Sequence, residues 1–255
     1  MCRLLGVPED DVPKFVDWVD ALSPTFGFMD LDQIRAASAA IDQLLDYVGT
    51  LVSLRRSSPA DDLITSLLVA EDMGDRLTHE ELVDMVANLL VGGHDTTSSQ
   101  IGCTFLTLLA HPDSLEALGT RPDLVPAAVM ETMRFEPSIG AIPRTVVDPL
   151  PVGAEERPPG LVVLLSLSAA NRDPDVWRDP GAFRLDRFAD PDAPKLLSFG
   201  TGPHFCLGAH LARMTLQETV RGLIARPLEL TGDPRALEWR TVLGRSPVDL
   251  EVAVV

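Results

Sequence analysis

A long helical pattern in the first half of the sequence constrains the fold more than any other feature. Thr78 and Glu81 stand three residues apart and fit a capping box, in which each side chain bonds the other residue's backbone N–H. Apolar residues then recur at helical spacing up to Ala110, and His111-Pro112 ends the pattern because proline cannot continue a helix. At 1.5 Å per residue the helix would be roughly 45 Å long. A helix of this length is long enough to cross a whole domain.

Shorter segments on both sides of this helix also carry the helical spacing of apolar residues. They are Pro8–Leu22, Leu31–Arg56 with Asp30 as N-cap, Asp61–Asp72, Pro122–Pro137 and the stretch after Cys206. β-rich runs follow at 141–147 and 160–168, and residues 248–255 form a further predicted strand. Between these strands, Arg172–Lys195 is dense in proline and aspartate and predicts a long ordered loop. We therefore expect a mainly α fold with small β-sheets, and the length of 255 residues allows one large domain or two small ones.

The composition predicts a compact and acidic protein. Apolar residues make up 45% of the 255 residues, which is enough for a sizeable core, and charged residues make up 23%, near the globular average. The formal net charge of −17 argues against a nucleic-acid binder and against docking on an anionic membrane. We therefore expect neither nucleic acid nor membrane as a partner.

The three cysteines are far apart in the sequence. Cys2, Cys103 and Cys206 form neither a disulfide framework nor a CxxC zinc pattern. The first residues contain no long apolar run, so we expect no signal peptide and no membrane anchor. Both observations predict a protein of the reducing cytoplasm.

Cys206 lies in a glycine-rich turn directly before a helical pattern. In Phe199–Gly208, which reads FGTGPHFCLG, the glycines permit a tight turn that a side chain would block. The helix N-terminus behind the turn offers free N–H groups and positive potential, which stabilise a thiolate. A lone cysteine is more often a small buried hydrophobe, but this turn can present the sulfur as a soft metal ligand or as a nucleophile.

Two glycines interrupt the long helix ahead of an acid and an alcohol. Gly92 and Gly93 each cost on the order of 1 kcal/mol relative to alanine inside a helix, so their presence needs a reason. Small residues let another helix approach, whereas the hydroxyl of Thr96 can bond back to the helix backbone and open it locally. Without further context, Asp95 and Thr96 would indicate only a polar surface or a kink.

Glu131 and Arg134 stand three residues apart on a predicted helix and therefore share a face. An ordinary surface ion pair is the commoner explanation, and such a pair contributes little to stability. The spacing alone leaves the choice between a surface pair and a buried one open.

The glycine-rich turn resembles the haem-binding loop of the cytochromes P-450, the haem-thiolate monooxygenases. The shared pattern is Phe-Gly-x-Gly-x-His-x-Cys-x-Gly, which is among the more specific short motifs in protein sequences. The resemblance implies that Cys206 is the axial thiolate ligand of haem b, iron protoporphyrin IX, and that His204 bonds a haem propionate. Phe199, Gly200 and Gly208 would complete the loop around the cofactor.

The long helix resembles the family's oxygen-binding helix in the segment Gly92-Gly93-His94-Asp95-Thr96. The resemblance implies that the two glycines make room for O₂ and for the macrocycle on the distal haem face. It also implies catalytic roles for Thr96, which would stabilise the oxygen, and for Asp95, which would relay protons to it.

Three further stretches match family motifs, and they follow one another in the same order as in the family. Glu131 and Arg134 match its Glu-x-x-Arg helix, and Arg187 in FRLDRF matches the arginine that completes a buried triad beneath the haem. Arg144 aligns with a strand arginine that contacts a propionate, and ANRDPDVWRDP, which ends at Pro180, is very like the bacterial members. The resemblance therefore implies a single domain over residues 1–255, the C-terminal part of a cytochrome P-450 fold. In that fold the long central helix lies over the haem, and the cysteine loop comes before the last long helix.

For function, the resemblance implies a bacterial-type monooxygenase that inserts one oxygen atom from O₂ into a small apolar organic substrate. Electrons would come from NAD(P)H through a ferredoxin-type partner. The family's N-terminal portion has no counterpart in this sequence, so a truncated, non-catalytic or weakly haem-binding remnant is one alternative. A cysteine hydrolase that pairs Cys206 with His204 or His210 is another.

Overall fold

The computed structural model describes residues 1–26, 29–72, 77–226, 228–234, 236–240 and 244–254. Its helices are α1 Val12–Leu22, α2 Leu31–Ser57, α3 Leu63–Asp72, α4 His79–Leu109, α5 Pro112–Thr120, α6 Val125–Phe135, α7 Leu167–Ala170 and α8 Ala209–Ile224. Its strands are β1 Ala141–Thr145, β2 Leu150–Val152, β3 Glu155–Arg157, β4 Val162–Ser166, β5 Leu228–Leu230, β6 Trp239–Arg240, β7 Ser246–Pro247 and β8 Val252–Val254. The chain divides into two compact units, Met1–Thr97 and Ser98–Val255, with the boundary inside α4. These elements confirm the mainly α fold with small sheets, whereas a single domain over residues 1–255 stays a prediction.

In the unit Met1–Thr97, α1, α2, α3 and the first part of α4 enclose one apolar core. α1 starts at Val12 rather than at Pro8, because a 3₁₀ turn at Glu9–Asp11 precedes it. The core includes Phe15, Leu22, Leu44, Val48, Ile64, Leu68, Leu82 and Val86, all of them buried. Each such side chain contributes about 1.5–3 kcal/mol when it leaves water, so this shared core holds the helices of the unit together.

α2 begins with a reciprocal hydrogen-bonded cap. The Gln33 N–H donates to Asp30 Oδ1 over 2.8 Å, and the Asp30 N–H donates to Gln33 Oε1 over 2.9 Å. These bonds satisfy backbone groups that helix geometry leaves without an intrahelical partner. The predicted N-cap at Asp30 is confirmed.

Both ends of α4 follow sequence signals. The Thr78 N–H donates to Glu81 Oε2 over 2.7 Å, and the Glu81 N–H donates to Thr78 Oγ1 over 3.2 Å, which confirms the predicted capping box. α4 ends at Leu109 and α5 starts at Pro112, as the proline predicts. The nine residues of α5 escape prediction because so short a segment shows little more than two turns of apolar spacing. Although α4 spans 31 residues, neither it nor any other helix in the described ranges is long and apolar enough to cross a membrane.

In the unit Ser98–Val255, a second apolar core joins the end of α4 to α5, α6 and α8. Its buried members include Leu108, Leu118, Val125, Val129, Met133, Leu216, Val220 and Leu223. Leu196 is also part of this core, three residues before the predicted cysteine turn begins. The core therefore anchors the chain on both sides of that turn, at Leu196 before it and at α8 after it.

The sheets of the described residues are two-stranded. β1 pairs with β4 in antiparallel fashion, with Ala141 opposite Ser166. The strand predicted to continue to residue 168 ends at Ser166, because the Ser166 hydroxyl accepts a hydrogen bond from the Ala169 N–H over 3.2 Å and caps α7. β2 and β3 form a short hairpin between these two strands along the chain.

The chain's last predicted strand is shorter than the sequence pattern indicates. The prediction covers residues 248–255, whereas β8 spans Val252–Val254 and pairs with β5. Val255 lies outside the described residues. The long loop Arg172–Lys195 matches its prediction, since it contains no helix or strand apart from a 3₁₀ turn at Arg187–Ala189.

The cap of α2 gives a stability prediction. Replacing Asp30 by alanine removes the acceptor of the Gln33 N–H and should lower the free energy of unfolding by about 1 kcal/mol. The matched control is Asp42→Ala at an exposed position of the same helix, where alanine should leave stability unchanged or slightly higher because it is the better helix former. Chemical denaturation followed by circular dichroism measures both variants. Equal transition midpoints for the two would contradict the prediction.

Candidate functional site

The glycine-rich turn places Cys206 directly before α8. Gly200 and Gly202 have φ angles of 71° and 74°, which glycine adopts readily and residues with a Cβ avoid. The Cys206 N–H donates to the Phe199 carbonyl over 3.0 Å and closes the turn. α8 then begins at Ala209, so the turn fixes the cysteine backbone at the N-terminal end of a helix.

Cys206 is exposed, unlike the other two cysteines. Burial raises the pKa of the Cys103 thiol to about 11, and its Sγ donates to the Arg245 carbonyl over 3.1 Å. Burial also raises the pKa of Cys2. A covered, protonated thiol is a poor ligand and a poor nucleophile near neutral pH. Cys206 is therefore the cysteine that can reach a ligand or a substrate.

The immediate surroundings of Cys206 are apolar. Its neighbours in the chain, Phe205 and Leu207, are both exposed. Within the part of the chain that the structure describes, no hydrogen bond joins the Cys206 sulfur to His204 or His210. A cysteine hydrolase needs a base within hydrogen-bond reach of its thiol, so the geometry gives that alternative no support.

Asp95 and Thr96 lie in α4, at the end of the unit Met1–Thr97. The Asp95 carboxylate is buried and accepts a hydrogen bond from the Ser23 hydroxyl, with 2.5 Å between Oγ and Oδ2. Thr96 Oγ1 donates to the Gly92 carbonyl over 2.6 Å, which is the bond back into the helix that the sequence predicts. Sequence reasoning misses Ser23, because nothing in the pattern joins residues that stand 72 positions apart.

The two glycines of α4 differ in their surroundings. A Cβ at Gly93 would run into Met1 Cε, the far end of a flexible side chain that can move aside, so this contact alone does not require glycine. At Gly92, no described atom beyond the local helix lies within 4 Å of the Cβ position. Room for O₂ and a macrocycle at Gly92 and Gly93 therefore stays a prediction. The position of this motif relative to Cys206 stays a prediction as well.

The two residues expected at haem propionates belong to the same unit as Cys206. Arg144 lies on β1, is half-buried, and donates from Nη1 to the Pro143 carbonyl over 2.7 Å. His204 is exposed in a 3₁₀ turn just before Cys206. Both side chains are polar donors of the kind that binds carboxylates, and their contact with a propionate stays a prediction.

Glu131, Arg134 and Arg187 form one buried ionic cluster. Arg134 Nε and Nη2 donate to the two carboxylate oxygens of Glu131 over 2.7 and 2.8 Å. Arg187 Nε lies 3.0 Å from Glu131 Oε2 and 3.1 Å from Oε1. Glu131 and Arg134 are fully buried, and Arg187 is 7% exposed. The structure thus brings together the three residues that the sequence groups as a triad.

The cluster also holds the long loop that follows α7. Glu131 Oε1 accepts a hydrogen bond from the Arg184 N–H over 3.0 Å. The two guanidinium groups of the cluster donate to main-chain carbonyls of the loop, namely those of Asn171, Arg178, Asp179, Pro180 and Ala182. Because two arginines face one carboxylate, these carbonyl dipoles offset the surplus positive charge. The loop is therefore ordered by arginine side chains rather than by helix or strand bonds.

An exposed cysteine at the start of a helix fits the cysteine thiolate that the cytochromes P-450 use as the ligand of haem iron. The family model described as Cytochrome P-450 matches residues 13–120 and 121–226. The chain belongs to the cytochrome P-450 family. Membership of this family implies a haem cofactor.

Curated relatives and solved structures are similar over nearly the whole chain. Nocardicin C N-oxygenase of Nocardia uniformis subsp. tsuyamanensis is 40% identical over 98% of this chain and 62% of its own length. Vitamin D(3) 25-hydroxylase of Pseudonocardia autotrophica is 38% identical over 90% of this chain and 55% of its own length. The crystal structure of CalO2 superposes with a TM-score of 0.88 at 32% identity, over 100% of this chain and 64% of that one. The chain thus spans about three fifths of the length of such relatives.

The buried cluster predicts unequal effects of two conservative substitutions. Arg187→Lys keeps the positive charge but loses the planar group that bonds Glu131 and several carbonyls at once, and should lower the free energy of unfolding by about 2 kcal/mol or more. The matched control is Arg184→Lys, whose exposed side chain pairs with Asp186 over 3.4 Å and should cost less than about 1 kcal/mol. Urea denaturation compares the two. If Arg187→Lys lowers the free energy of unfolding no more than Arg184→Lys does, the cluster does not hold the loop in place.

Proposed function

We propose that this chain forms the haem-binding part of a cytochrome P-450 monooxygenase, with Cys206 as the thiolate ligand of haem b. The observation that carries the proposal is the exposed sulfur of Cys206, held by a glycine turn at the start of α8 in a chain of this family. Thiolate is a soft, anionic ligand that suits haem iron.

The residues around Cys206 fit a flat apolar macrocycle. A Cβ at Gly208 would meet the Cys206 sulfur at 4.0 Å, so the glycine leaves one flank of the sulfur uncovered. Phe205 and Leu207, the two chain neighbours of Cys206, offer exposed apolar side chains next to the ligand. Phe199 and Gly200 shape the turn in this proposal.

Polar groups of the same unit suit the charged edge of the cofactor. His204 and Arg144 would each donate to a haem propionate, and a guanidinium can bind a carboxylate through two hydrogen bonds. Glu131, Arg134 and Arg187 would hold the loop beneath the haem without touching the cofactor themselves. The burial of the cluster and its hydrogen bonds to loop carbonyls are the observations in favour of this loop-holding role.

When bound, a thiolate-ligated haem supplies the chemistry that cleaves the O–O bond of O₂ and delivers one oxygen atom to a substrate. We assign the proton supply to Asp95 and Thr96. Asp95 is a buried carboxylate whose Oδ2 already accepts a hydrogen bond from the Ser23 hydroxyl, so a proton can be held and passed at this atom. The Thr96 hydroxyl, bonded to the Gly92 carbonyl, stands next to this acid in the chain. Gly92 and Gly93 would leave room for O₂ beside this pair.

The electron source and the substrate follow from the same proposal. Electrons would come from NAD(P)H through a ferredoxin-type partner in the cytoplasm. α8 carries Arg213, a half-buried cation one turn into the helix that follows Cys206, and a positive charge there would suit an acidic protein partner. Arg221, near the other end of α8, is already paired with Glu218 over 2.5 Å. The names of the relatives, an N-oxygenase and a hydroxylase, support insertion of oxygen into a small organic molecule, which we propose to be apolar.

A non-catalytic or weakly haem-binding form is the second candidate. The chain spans about three fifths of the length of its relatives. On β4, moreover, Val162 is 63% exposed and Leu164 is 70% exposed. Exposed apolar side chains grouped on one strand indicate a surface that another segment or chain can cover. Stoichiometric haem binding with turnover by purified chain would exclude this candidate.

The thiolate ligand gives a spectroscopic prediction. In haem-loaded, reduced protein, CO should produce the red-shifted Soret band of a thiolate-ligated haem, and Cys206→Ser should abolish that band because serine supplies no sulfur. Cys2→Ser is the matched control and should leave the band unchanged. If the loaded wild-type chain shows no such band, the proposed function is wrong.

The acid–alcohol pair gives a second prediction, for the chain supplied with haem and reductant. Thr96→Ala removes the hydroxyl that helps deliver protons, so consumed NAD(P)H should appear increasingly as hydrogen peroxide and the product yield per NAD(P)H should fall about tenfold or more. Thr97→Ala at the next position is the control and should retain the wild-type yield. Equal product yields per NAD(P)H for Thr96→Ala and Thr97→Ala would contradict the proposed role of Thr96 in proton delivery.

A further inference from the structure

Asn171 is a buried polar residue that none of the roles above uses. It is fully buried and directly follows α7. Both ends of its side-chain amide are bonded: Oδ1 accepts from the Leu197 N–H over 3.0 Å, and Nδ2 donates to Ser198 Oγ over 2.8 Å. The Ser198 hydroxyl in turn donates to the Met133 carbonyl of α6 over 2.8 Å. Asn171 thus ties the segment before the cysteine turn to a buried helix.

The backbone of Asn171 contacts the ionic cluster. Its carbonyl accepts a hydrogen bond from Arg134 Nη1 over 3.1 Å, and Arg134 is itself fixed by Glu131. The residue therefore takes one bond from the cluster with its backbone and makes two bonds to the segment before the turn with its side chain.

Leu197 and Ser198 lead directly into the turn. The Leu197 carbonyl accepts from the Gly200 N–H over 2.7 Å, and the Phe199 carbonyl accepts from the Cys206 N–H over 3.0 Å. The bond from Asn171 to the Leu197 N–H therefore fixes the residue whose carbonyl starts the turn. A continuous series of hydrogen bonds connects the buried cluster with the loop that presents the sulfur.

We propose that Asn171 is a positioning residue for Cys206. It transmits the rigidity of the Glu131–Arg134 pair to the cysteine turn and so fixes the direction of the sulfur. An amide is suited to this position because one side chain must accept from an N–H and donate to a hydroxyl at the same time. The inference rests on the proposed function for the identity of the ligand that Cys206 binds.

The first test measures the turn itself, in the full chain without added haem. Asn171→Ala leaves the partly buried Leu197 N–H without its acceptor, and amide hydrogen exchange across residues 197–206 should become about tenfold faster or more. Ser198→Ala keeps the bond to Leu197 and should produce a smaller acceleration. The matched control is Thr104→Val, which removes a buried hydroxyl contact with Thr132 of 3.1 Å and should leave exchange in the turn unchanged.

The second test measures the ligand in haem-loaded protein. Among the CO complexes, Asn171→Ala should convert part of the thiolate band into the band of a haem that lacks a thiolate ligand. Thr104→Val should keep the wild-type spectrum. Circular dichroism verifies that Asn171→Ala and Thr104→Val are both folded under the conditions used. A difference between their CO spectra therefore cannot come from loss of folding.

The two tests separate the possible failures. Turn exchange that is equal in Asn171→Ala and Thr104→Val overturns the positioning role, and so does an unchanged thiolate spectrum in Asn171→Ala. A wild-type chain without a thiolate band defeats the proposed function, while the exchange measurement still decides whether Asn171 positions the turn. If Asn171→Ala does not fold, Ser198→Ala carries the same comparison, and no difference from Thr104→Val in either measurement then overturns the inference.

Discussion

The pairing of one buried carboxylate with two buried guanidinium groups is the interaction on which the cysteine-bearing unit depends. Removing Glu131, Arg134 and Arg187 from water costs several kcal/mol per ion, and their mutual attraction offsets this cost only if the remaining donors are bonded. The loop after α7 supplies those bonds through its carbonyl groups. The need to satisfy two arginines therefore orders a loop that has no helix or strand to order it.

Apolar contacts and hydrogen bonds have different roles in this unit. The core around α6 and α8 fixes where the helices lie, but apolar contacts are non-directional and leave loop conformation open. The hydrogen bonds through Asn171 and Leu197 supply the missing direction. In the other unit, the Ser23–Asp95 and Thr96–Gly92 bonds do the same for two side chains of α4. In both units, directional bonds therefore hold residues at or next to those to which we assign chemistry.

Local signals made much of the fold predictable. Asp30 and Thr78 predict the starts of α2 and α4, because a capping box depends on residues only three positions apart. Pro112 predicts the end of α4, because the ring of proline cannot continue a helix. The end of β4 escaped prediction, since an apolar run cannot show that the Ser166 hydroxyl will cap α7. The spacing of Glu131 and Arg134 indicates a shared face but not burial, and Arg187 joins them only through family resemblance. The bond between Ser23 and Asp95 is invisible from sequence because it arises from tertiary packing alone.

The positive φ angles of Gly200 and Gly202 have a consequence for the order of events in maturation. A loop whose backbone is already restricted loses little further conformational entropy when a partner binds to it. Glycine permits this backbone path, and hydrogen bonds within the polypeptide restrict it, from the Gly200 N–H to the Leu197 carbonyl and from the Cys206 N–H to the Phe199 carbonyl. Uptake of a prosthetic group can therefore follow the collapse of the chain as a separate step, instead of being the event that drives it.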